Sequence, residues 1–404
     1  MSFWEFLQTY YPYLLIPVIS ALVGWSTNIL ALRMTFHPLE FFGIKPYLGW
    51  QGIIPSKAGN MAAKAVDLIT GKLLKIEELF SHLDATRVTQ EMGPELDRVS
   101  KKIIKEVMES QAPVIWLGMP KSAKDQLHQT VAKELPMVVE EMMEELKNNV
   151  NEFFDVKSMV VETLVKDKQL LNHIFLKCGE KEFKFIERSG AYFGFIFGLF
   201  QMVAWYFYQP WWLLPLAGVT VGYLTNWLAL KLIFQPLKPV KIGPWNVQGL
   251  FIKRQPEVAE EYAKIVAGQI LTSPKIFDSI FYGPTAHKVA SMVQLHVTRV
   301  VDLTAGSSKQ LIQLITGEKK YQVIKNIAFS SFIEDLRITI SQVFVYAEEA
   351  LDLERTLKQR MQGLEAPEFQ SFLRPVFQED EWKLILVGAI LGGLAGLIQL
   401  YVFF

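Results

Sequence analysis

The sequence predicts an all-α integral membrane protein with four transmembrane helices, two helical extramembrane blocks and an internal tandem duplication. Three observations lead to this prediction. The charged side chains are concentrated in two parts of the chain, four long apolar segments separate and flank those parts, and a motif near the start recurs in the middle.

The first observation is the uneven distribution of charge. The chain of 404 residues has 41 basic and 41 acidic side chains, and nearly all of them lie in two blocks, 37–189 and 235–383. The rest of the chain contains only Glu5, Arg33 and Lys231. The blocks have the charge density of ordinary soluble domains. This pattern excludes a single soluble globule, and it also excludes a protein that lies wholly within the bilayer.

The balance of charge within the blocks bears on the partner. Residues 37–189 carry 21 basic and 23 acidic side chains, so they have no basic surplus. Binding of a nucleic-acid backbone requires such a surplus. We therefore expect membrane lipid as the partner and no nucleic acid, and we leave a protein partner or a second copy of the chain open.

The second observation is the set of apolar segments. A helix needs about 20 apolar residues to cross about 30 Å of hydrocarbon. Four segments meet this requirement: 12–34, 190–208, 211–234 and 384–404. Aromatic residues cluster at their ends, as is typical of side chains at the headgroup level.

The turn between the second and third segments sets the topology. Only Gln209-Pro210 separates the two segments, so they must form a tight hairpin and both blocks must lie on one side of the membrane. The flanking basic residues, Arg33, Lys231 and Lys383 among them, all lie on that side. The positive-inside bias then predicts that both blocks are cytoplasmic.

The third observation is the repeat. Val23–Leu39 aligns with Val221–Leu237 at an offset of 198, with ten of seventeen positions identical. The same offset relates the second apolar segment to the fourth. We therefore predict a first repeat over 1–202 and a second over 203–404, each with a span, a block and a span. Such parallel repeats are expected to be related by a pseudo-two-fold axis along the membrane normal.

The blocks themselves are predicted to be helical. Apolar residues from Leu135 to Leu171 recur at helical spacing, which predicts a helix that runs nearly unbroken towards the second span. The second block has the same pattern over 323–357, although the alternation within 338–346 leaves a short strand as an alternative.

A resemblance to a known family adds to this interpretation. The run Gly24–Pro38, followed by Gly52-Ile53-Ile54-Pro55 and Lys57, resembles the opening of domain-of-unknown-function family 445. The end of the chain, with Phe372–Phe377, also resembles that family. The resemblance implies a bacterial membrane protein and supplies no reaction. With both blocks cytoplasmic, we expect a multi-pass protein of the bacterial plasma (inner) membrane. The second copy departs from the family pattern, because Ile252 stands where the first copy has Pro55.

Polar residues inside the spans are the first candidates for function: Thr27, Asn28, Thr225 and Asn226. An amide in hydrocarbon needs a hydrogen-bond partner. One interpretation is close packing of the first and third spans, with each asparagine bonded across the pseudo-axis or to nearby backbone. The other is a polar site for a solute or an ion at the repeat interface.

Small residues predict close contacts between helices. On the first and third spans these are Gly24, Ala31, Gly222 and Ala229, and on the second and fourth spans they are Gly194, Gly198, Gly388, Gly392 and Gly396.

Basic residues at the membrane boundary are further candidates. Arg33 and Lys231 are predicted to extend their charges to the interface as anchors. Lys57, Lys253 and Arg254 adjoin short apolar stretches. These stretches either lie in the surface of the anionic leaflet or form turns packed on the helical blocks.

Enzymatic chemistry finds little support in the sequence. The histidines are scattered without metal-ligand spacing, Cys178 has no cysteine partner, and there is no phosphate loop. We therefore expect no catalytic residue, no cofactor and no metal. The favoured hypothesis is a non-enzymatic membrane protein that binds, tethers or moves lipid or envelope components. The alternative is a small-solute transporter or channel.

Overall fold

The computed structural model describes residues 3–44, 48–306, 318–374 and 381–403. The described residues are 84% helical, and four of their helices are long and apolar enough to cross a membrane. The predicted fold class, an all-α membrane protein, is confirmed. The chain divides into two compact units: the first contains 1–68, 161–265 and 357–404, and the second contains 69–160 and 266–356.

The membrane-spanning helices belong to the first unit. They are α1 (Phe3–Phe36), α11 (Glu180–Phe207), α12 (Leu213–Phe234) and α21 (Glu381–Phe403). The helix α1 begins well before the predicted residue 12, and α11 begins ten residues before the predicted 190. The spans thus lie where hydropathy predicts them, and their helices extend beyond the apolar core.

The other helices are shorter. In the first half they are α2 (Ile53–Ser56), α3 (Ala58–Leu68), α4 (Ile76–Ser81), α5 (Ala85–Gln111), α6 (Pro113–Gly118), α7 (Lys121–Asn148), α8 (Val150–Phe153), α9 (Val156–Lys166) and α10 (Lys168–Cys178), with a π-helical turn at Ile69–Leu73. In the second half they are α13 (Leu250–Lys253), α14 (Gln255–Gln269), α15 (Ser273–Tyr282), α16 (Ala286–Ala305), α17 (Glu318–Ser341), α18 (Phe344–Leu351), α19 (Leu353–Gln362) and α20 (Ala366–Leu373).

The predicted continuous helix from the first block towards the second span is wrong. The chain is interrupted between α7 and α11 because polar side chains end one helix and begin the next. Asp167 accepts a hydrogen bond from the backbone N–H of Leu170 at 2.9 Å and so caps α10. Asp155 similarly accepts from the N–H of Ser158 at 3.0 Å. An N-terminal cap satisfies a backbone donor that the helix itself leaves unpaired.

The alternative of a strand within 338–346 is also wrong, since α17 and α18 cover most of that stretch. The strands of the described chain occur instead directly after the first and third spans. Strand β1 (Phe42–Ile44) pairs antiparallel with β2 (Leu48–Trp50), and β3 (Val240–Ile242) pairs with β4 (Trp245–Val247). Each hairpin follows a cis proline, Pro38 or Pro236.

Corresponding contacts recur in the two halves of the first unit. Asn172 Nδ2 donates to the carbonyl oxygen of Phe36 at 2.6 Å, and Gln370 Nε2 donates to that of Phe234 at 3.3 Å. Each amide satisfies a carbonyl at the end of a spanning helix, where no intrahelical partner exists. Donors and acceptors are both 198 positions apart, like the sequence repeat.

The second unit is organised around four long helices. Helix α5 packs against α7 and α17, and α16 packs against the same two helices. The four thus form a closed bundle in which each half of the chain supplies two helices. Its interior contains buried apolar side chains from every helix, such as Val99, Val139, Val293 and Phe332.

Candidate functional site

The spanning helices are paired by glycines. A side chain on Gly24 of α1 would overlap the carbonyl oxygen of Gly190 on α11, and Gly194 lies against the backbone of Ser20. The second pair repeats this packing, with Gly222 of α12 against Gly388 of α21. Small residues allow helix backbones to approach this closely in membranes.

The glycine contacts correct one prediction. The small face of the first span was expected to contact the third span, but Gly24 packs on the second, α11. The reason is that α1 and α11 bring two small faces together, as do α12 and α21. Of the other predicted residues, Gly198 lies against Pro17 and Ser20, Gly392 against Gly218, and Gly396 against Leu214. Ala31 and Ala229 are buried.

The intramembrane asparagines bond to backbone across these same helix pairs. Asn28 Nδ2 donates to the carbonyl oxygen of Ile186 at 2.6 Å, and Asn226 Nδ2 donates to that of Leu384 at 2.9 Å. Both side chains are buried, at 0% and 3% exposure. The predicted bond to nearby backbone is therefore observed. Each Oδ1 atom is buried without a hydrogen-bond partner among the described residues.

The neighbouring threonines form hydrogen bonds within their own helices. Thr27 Oγ1 donates to the carbonyl of Gly24 at 3.1 Å, and Thr225 Oγ1 donates to that of Gly222 at 3.4 Å. The sequence analysis missed a further polar pair, because Ser20 Oγ donates to Gln201 Oε1 at 3.0 Å between α1 and α11. A glutamine within an apolar span is the signal that identifies it.

A small void lies beside Asn226. It has a volume of about 20 Å³ and is lined by residues of all four spanning helices, including Thr35, Ile186 and Leu384. A space of this size holds about one water molecule. The arrangement can thus hydrate an amide, but it is too small for an organic solute.

The predicted basic residues differ in their surroundings. Arg33, Lys231 and Lys253 are exposed, and Lys57 is half-buried. The ammonium of Lys231 lies 4.5 Å from the ring centre of Trp227, a cation–π contact. The guanidinium of Arg254 binds both carboxylate oxygens of the buried Glu182, at 2.6 and 2.7 Å.

The short apolar stretches beside these residues are packed turns. Ile53, Ile54 and Pro55 form part of α2 and are buried. Phe251 and Ile252 of α13 are buried as well. The alternative that these stretches lie in the leaflet surface is therefore wrong, since their apolar side chains already have protein neighbours.

An apolar cavity lies inside the bundle of the second unit. A cavity of about 390 Å³ opens between α5, α7, α16 and α17, near the ends where α5 and α16 finish. Apolar side chains from all four helices line it, among them Ile104, Val107, Val131, Leu135, Val300 and Phe332.

Few polar groups reach this cavity. Gln111, Thr304 and Lys320 line it, and Lys320 is exposed. Tyr321 presents its ring, while its hydroxyl donates to Asp302 at 2.8 Å. Burial, reinforced by this bond to Asp302, raises the pKa of Tyr321, so its hydroxyl stays neutral. The interior of the cavity is consequently an apolar surface without charge.

The short helix α6 adjoins the cavity and is exposed. Ile115 both lines the cavity and is 60% exposed, and Val114 and Leu117 are more than four-fifths exposed. Trp116 contacts His128 edge to face, and the ammonium of Lys124 lies 4.3 Å from the Trp116 ring centre. The exposed apolar helix and the adjoining cavity form a continuous apolar surface.

Groups for metal binding are not brought together in the part of the chain that the structure describes. No three His, Cys, Asp or Glu side chains cluster there in a way that could hold a metal ion. Burial raises the pKa of the Cys178 thiol to about 12, with Glu261 and Glu182 adding to the effect. A thiol in that state is a poor nucleophile.

The spanning helices also carry large apolar side chains on their outer faces. Leu22, Phe200, Leu216 and Ile390 are all exposed. Four such helices together form an apolar surface of the kind that lipid covers. The chain is similar to bacterial membrane proteins. The protein described as a UPF0754 membrane protein from Synechococcus sp. is 35% identical over 78 residues, 19% of this chain.

Two further relatives extend the comparison. A UPF0754 membrane protein from Synechococcus elongatus is 37% identical over 71 residues, which are 17% of either chain. One from Shouchella clausii is 30% identical over 124 residues, 30% of this chain and 29% of that protein. The chain thus aligns with less than a third of the length of these relatives, and with 18% of the first. No family model matches it, and no solved structure does.

Proposed function

We propose that this protein is a non-enzymatic membrane protein that holds an apolar chain, the acyl chain of a membrane lipid, inside the bundle of its second unit. The cavity of about 390 Å³ between the four bundle helices is the observation that carries the proposal. It lies in a part of the chain that is otherwise as charged as a soluble domain.

The size of the cavity favours an occupant. Cavities that bind small molecules have volumes of about 300–1,000 Å³, and an apolar cavity of about 150 Å³ already binds benzene. The cavity opens to solvent, so its apolar lining contacts water when it is vacant, which is unfavourable. An apolar ligand covers this lining.

The lining defines the class of ligand. Sugars, nucleotides and peptides need several polar partners, whereas this cavity offers mainly aliphatic and aromatic carbon. The exposed ammonium of Lys320 at the lining suits the carboxylate or phosphate of an amphiphile whose hydrocarbon chain lies inside. The exposed α6, with Val114 and Leu117, extends the apolar surface outwards from the cavity.

The cellular setting of this activity is part of the proposal. We propose that both charged blocks are cytoplasmic and that the spans lie in the bacterial inner membrane, because basic residues flank the spans on the side of the blocks. We propose that the chain belongs to domain-of-unknown-function family 445, on the resemblance of its opening motif. We also propose that it arose by tandem duplication, which the paired contacts of Phe36 and Phe234 support.

Photo-crosslinking tests the acyl-chain proposal. The full-length protein is reconstituted with a phospholipid that carries a diazirine in its acyl chain, irradiated, and mapped by peptide mass spectrometry. We expect crosslinks in α5, α7, α16 and α17, at residues that line the cavity. Crosslinks in the spanning helices serve as an internal standard for ordinary lipid contact.

A filling variant and a matched control make this experiment decisive. Ala328 is 2% exposed and lines the cavity, so Ala328→Phe reduces the space and should remove the cavity crosslinks. Ile338 lies on the same helix and is 54% exposed, so Ile338→Phe should leave them unchanged. Cavity crosslinks of wild-type intensity in folded Ala328→Phe, or none in the wild type, would refute the proposal.

A second candidate function is a small-solute transporter with its polar site at the repeat interface. The unpaired Oδ1 atoms of Asn28 and Asn226 support it. The void of about 20 Å³ beside Asn226 counts against an organic solute and leaves water or a single ion. Loss of flux in proteoliposomes containing Asn28→Leu, at equal protein content, would favour this function. Flux in the wild type no higher than in protein-free vesicles, or equal flux in the variant and the wild type, would reject it.

A further inference from the structure

A second cleft of about 390 Å³ lies where α12 ends and α21 begins. Its lining combines two cations, Lys231 and Arg374, with one carboxylate, Glu381. The indole rings of Trp227 and Trp382 also line it. We propose that this cleft binds the headgroup of a glycerophospholipid. This site lies in the first unit and is independent of the acyl-chain cavity proposed above.

The charges of the cleft match a phosphodiester. Lys231 and Arg374 both offer N–H donors, and a guanidinium is well suited to the planar pairing of phosphate oxygens. The carboxylate of Glu381 is an acceptor for an ammonium or hydroxyl group on the same headgroup. With two cations and one anion, the cleft suits phosphatidylethanolamine, whose phosphate and ammonium carry opposite charges.

The fold fixes the position of Arg374 relative to the spanning helix. Its backbone N–H donates to the carbonyl of Gln370 at 2.9 Å, which continues the last turn of α20. The side chain of Gln370 in turn donates to the carbonyl of Phe234 at 3.3 Å, at the end of α12. Arg374 therefore lines the same cleft as Lys231, which lies one turn before the end of α12.

The surroundings favour a lipid over free phosphate. The floor of the cleft is apolar and buried, formed by Leu230, Phe234 and Ile385. Trp382 is 60% exposed, and tryptophan at the end of a spanning helix is typical of the headgroup level. Basic pockets between transmembrane helices are known positions for lipid headgroups. Acyl chains from this position extend along the exposed apolar faces of α12 and α21.

The cleft distinguishes the second half of the chain from the first. At the offset of 198, Lys231 corresponds to Arg33, which keeps the charge. The other polar and aromatic members are replaced by residues of another kind: Leu176 corresponds to Arg374, Phe183 to Glu381, Ile29 to Trp227, Lys184 to Trp382 and His37 to Gln235. Arg33 therefore provides a natural control, a cation at the matching position without the counterparts of Arg374, Glu381 and the two indoles.

Native mass spectrometry of the full-length protein in detergent tests the site. Phosphatidylethanolamine and phosphatidylglycerol are titrated separately, and apparent dissociation constants are compared. We expect Lys231→Gln with Arg374→Gln to bind phosphatidylethanolamine about tenfold more weakly, since two charge-assisted hydrogen bonds are lost. Glu381→Gln should remove the preference for phosphatidylethanolamine over phosphatidylglycerol.

Three controls separate this proposal from its alternatives. Arg33→Gln and Ile338→Phe should bind as the wild type does, and Lys231→Arg should retain affinity. Wild-type affinity in the folded double variant would overturn the site, and so would an equal loss in Arg33→Gln. Millimolar glycerol 3-phosphate is added as a competitor. Displacement of the lipid by this soluble phosphate alone would assign the cleft to free phosphate instead.

Discussion

Asn28 Nδ2 lies 2.6 Å from the carbonyl oxygen of Ile186, and this hydrogen bond joins the first spanning helix to the second. Asn226 forms the corresponding bond to Leu384 at 2.9 Å, again across 158 residues. The two bonds lie beside the glycine contacts of the same helix pairs. The asparagine hydrogen bond and the close glycine contact are therefore neighbours in each helix pair.

The asparagine bond leads to a first prediction. Asn28→Leu removes the donor and should destabilise the protein by about 1 kcal/mol, the usual magnitude for a hydrogen bond between transmembrane helices. Unfolding in mixed micelles of mild detergent and dodecyl sulfate measures this change. Ser26→Ala is the control, because Ser26 is exposed and bonds only within its own helix. Equal stability of Asn28→Leu and the wild type would contradict the prediction.

The glycine contacts lead to a second prediction. Gly222→Ala places a methyl group against the carbonyl of Gly388 and should cost about 1–3 kcal/mol, since backbone has to move. Gly93 lies inside α5 with open space around its Cα, so Gly93→Ala should instead stabilise by about 0.5–1 kcal/mol. The same unfolding assay compares both. A gain in stability for Gly222→Ala would show that the helices are not in close contact.

The buried ion pair leads to a third prediction. Glu182 is 1% exposed, and Arg254 satisfies both of its carboxylate oxygens. Arg254→Ala leaves a buried carboxylate unpaired and should cost about 3 kcal/mol. Lys181→Ala breaks the exposed pair of Lys181 with Glu257 nearby and should change stability by less than about 1 kcal/mol. Similar effects of both substitutions would show that Glu182 is hydrated.

The state of Cys178 leads to a fourth prediction. Because burial raises the pKa of this thiol to about 12, N-ethylmaleimide at pH 7.5 should not modify it in the folded protein and should modify it after unfolding. Mass spectrometry before and after denaturation measures the adduct. An exposed cysteine, Ser81→Cys in a Cys178→Ser background, should react within minutes. Rapid modification of native Cys178 would contradict its burial.

The same pKa shift has a consequence for stability. The unfolded thiol ionises with a pKa of about 8.5, whereas the folded thiol keeps its proton to about pH 12. The folded state therefore binds the proton more tightly, and stability falls as the pH rises from about 8.5 towards 12. Cys178→Ala should remove this part of the pH dependence. An unchanged profile between pH 8 and 10 would contradict the assignment.

The sequence predicts most of the membrane part because hydrophobic length is a local property. The spans, the tight turn at Gln209-Pro210 and the importance of Gly24, Asn28 and their counterparts follow from composition and spacing. The sequence does not predict which helix face of small residues packs against which other. Gly24 was assigned to the third span, and only the three-dimensional packing brings it to Gly190 on the second.

The functional candidates show the same division. The helical stripes through Leu135 and Val139 indicate burial but not what fills the space between them. The cleft at Lys231 was equally hidden, because Arg374 and Glu381 are more than 140 residues away along the chain. The spacing of apolar residues predicts which face of a single helix is buried. A cavity forms only where the buried faces of several helices do not pack fully against one another.

The amino-acid order alone determined that this is a helical membrane protein with charged blocks between its spans, since the transfer of apolar residues from water depends on composition. Tertiary structure alone decided the pairing of α1 with α11 and of α12 with α21, the amide bonds to backbone carbonyls, and the two clefts. These features depend on distances between residues that are far apart in sequence. Those distances are set by the packing of the helices, whose backbones approach as closely as the small side chains at the contacts allow.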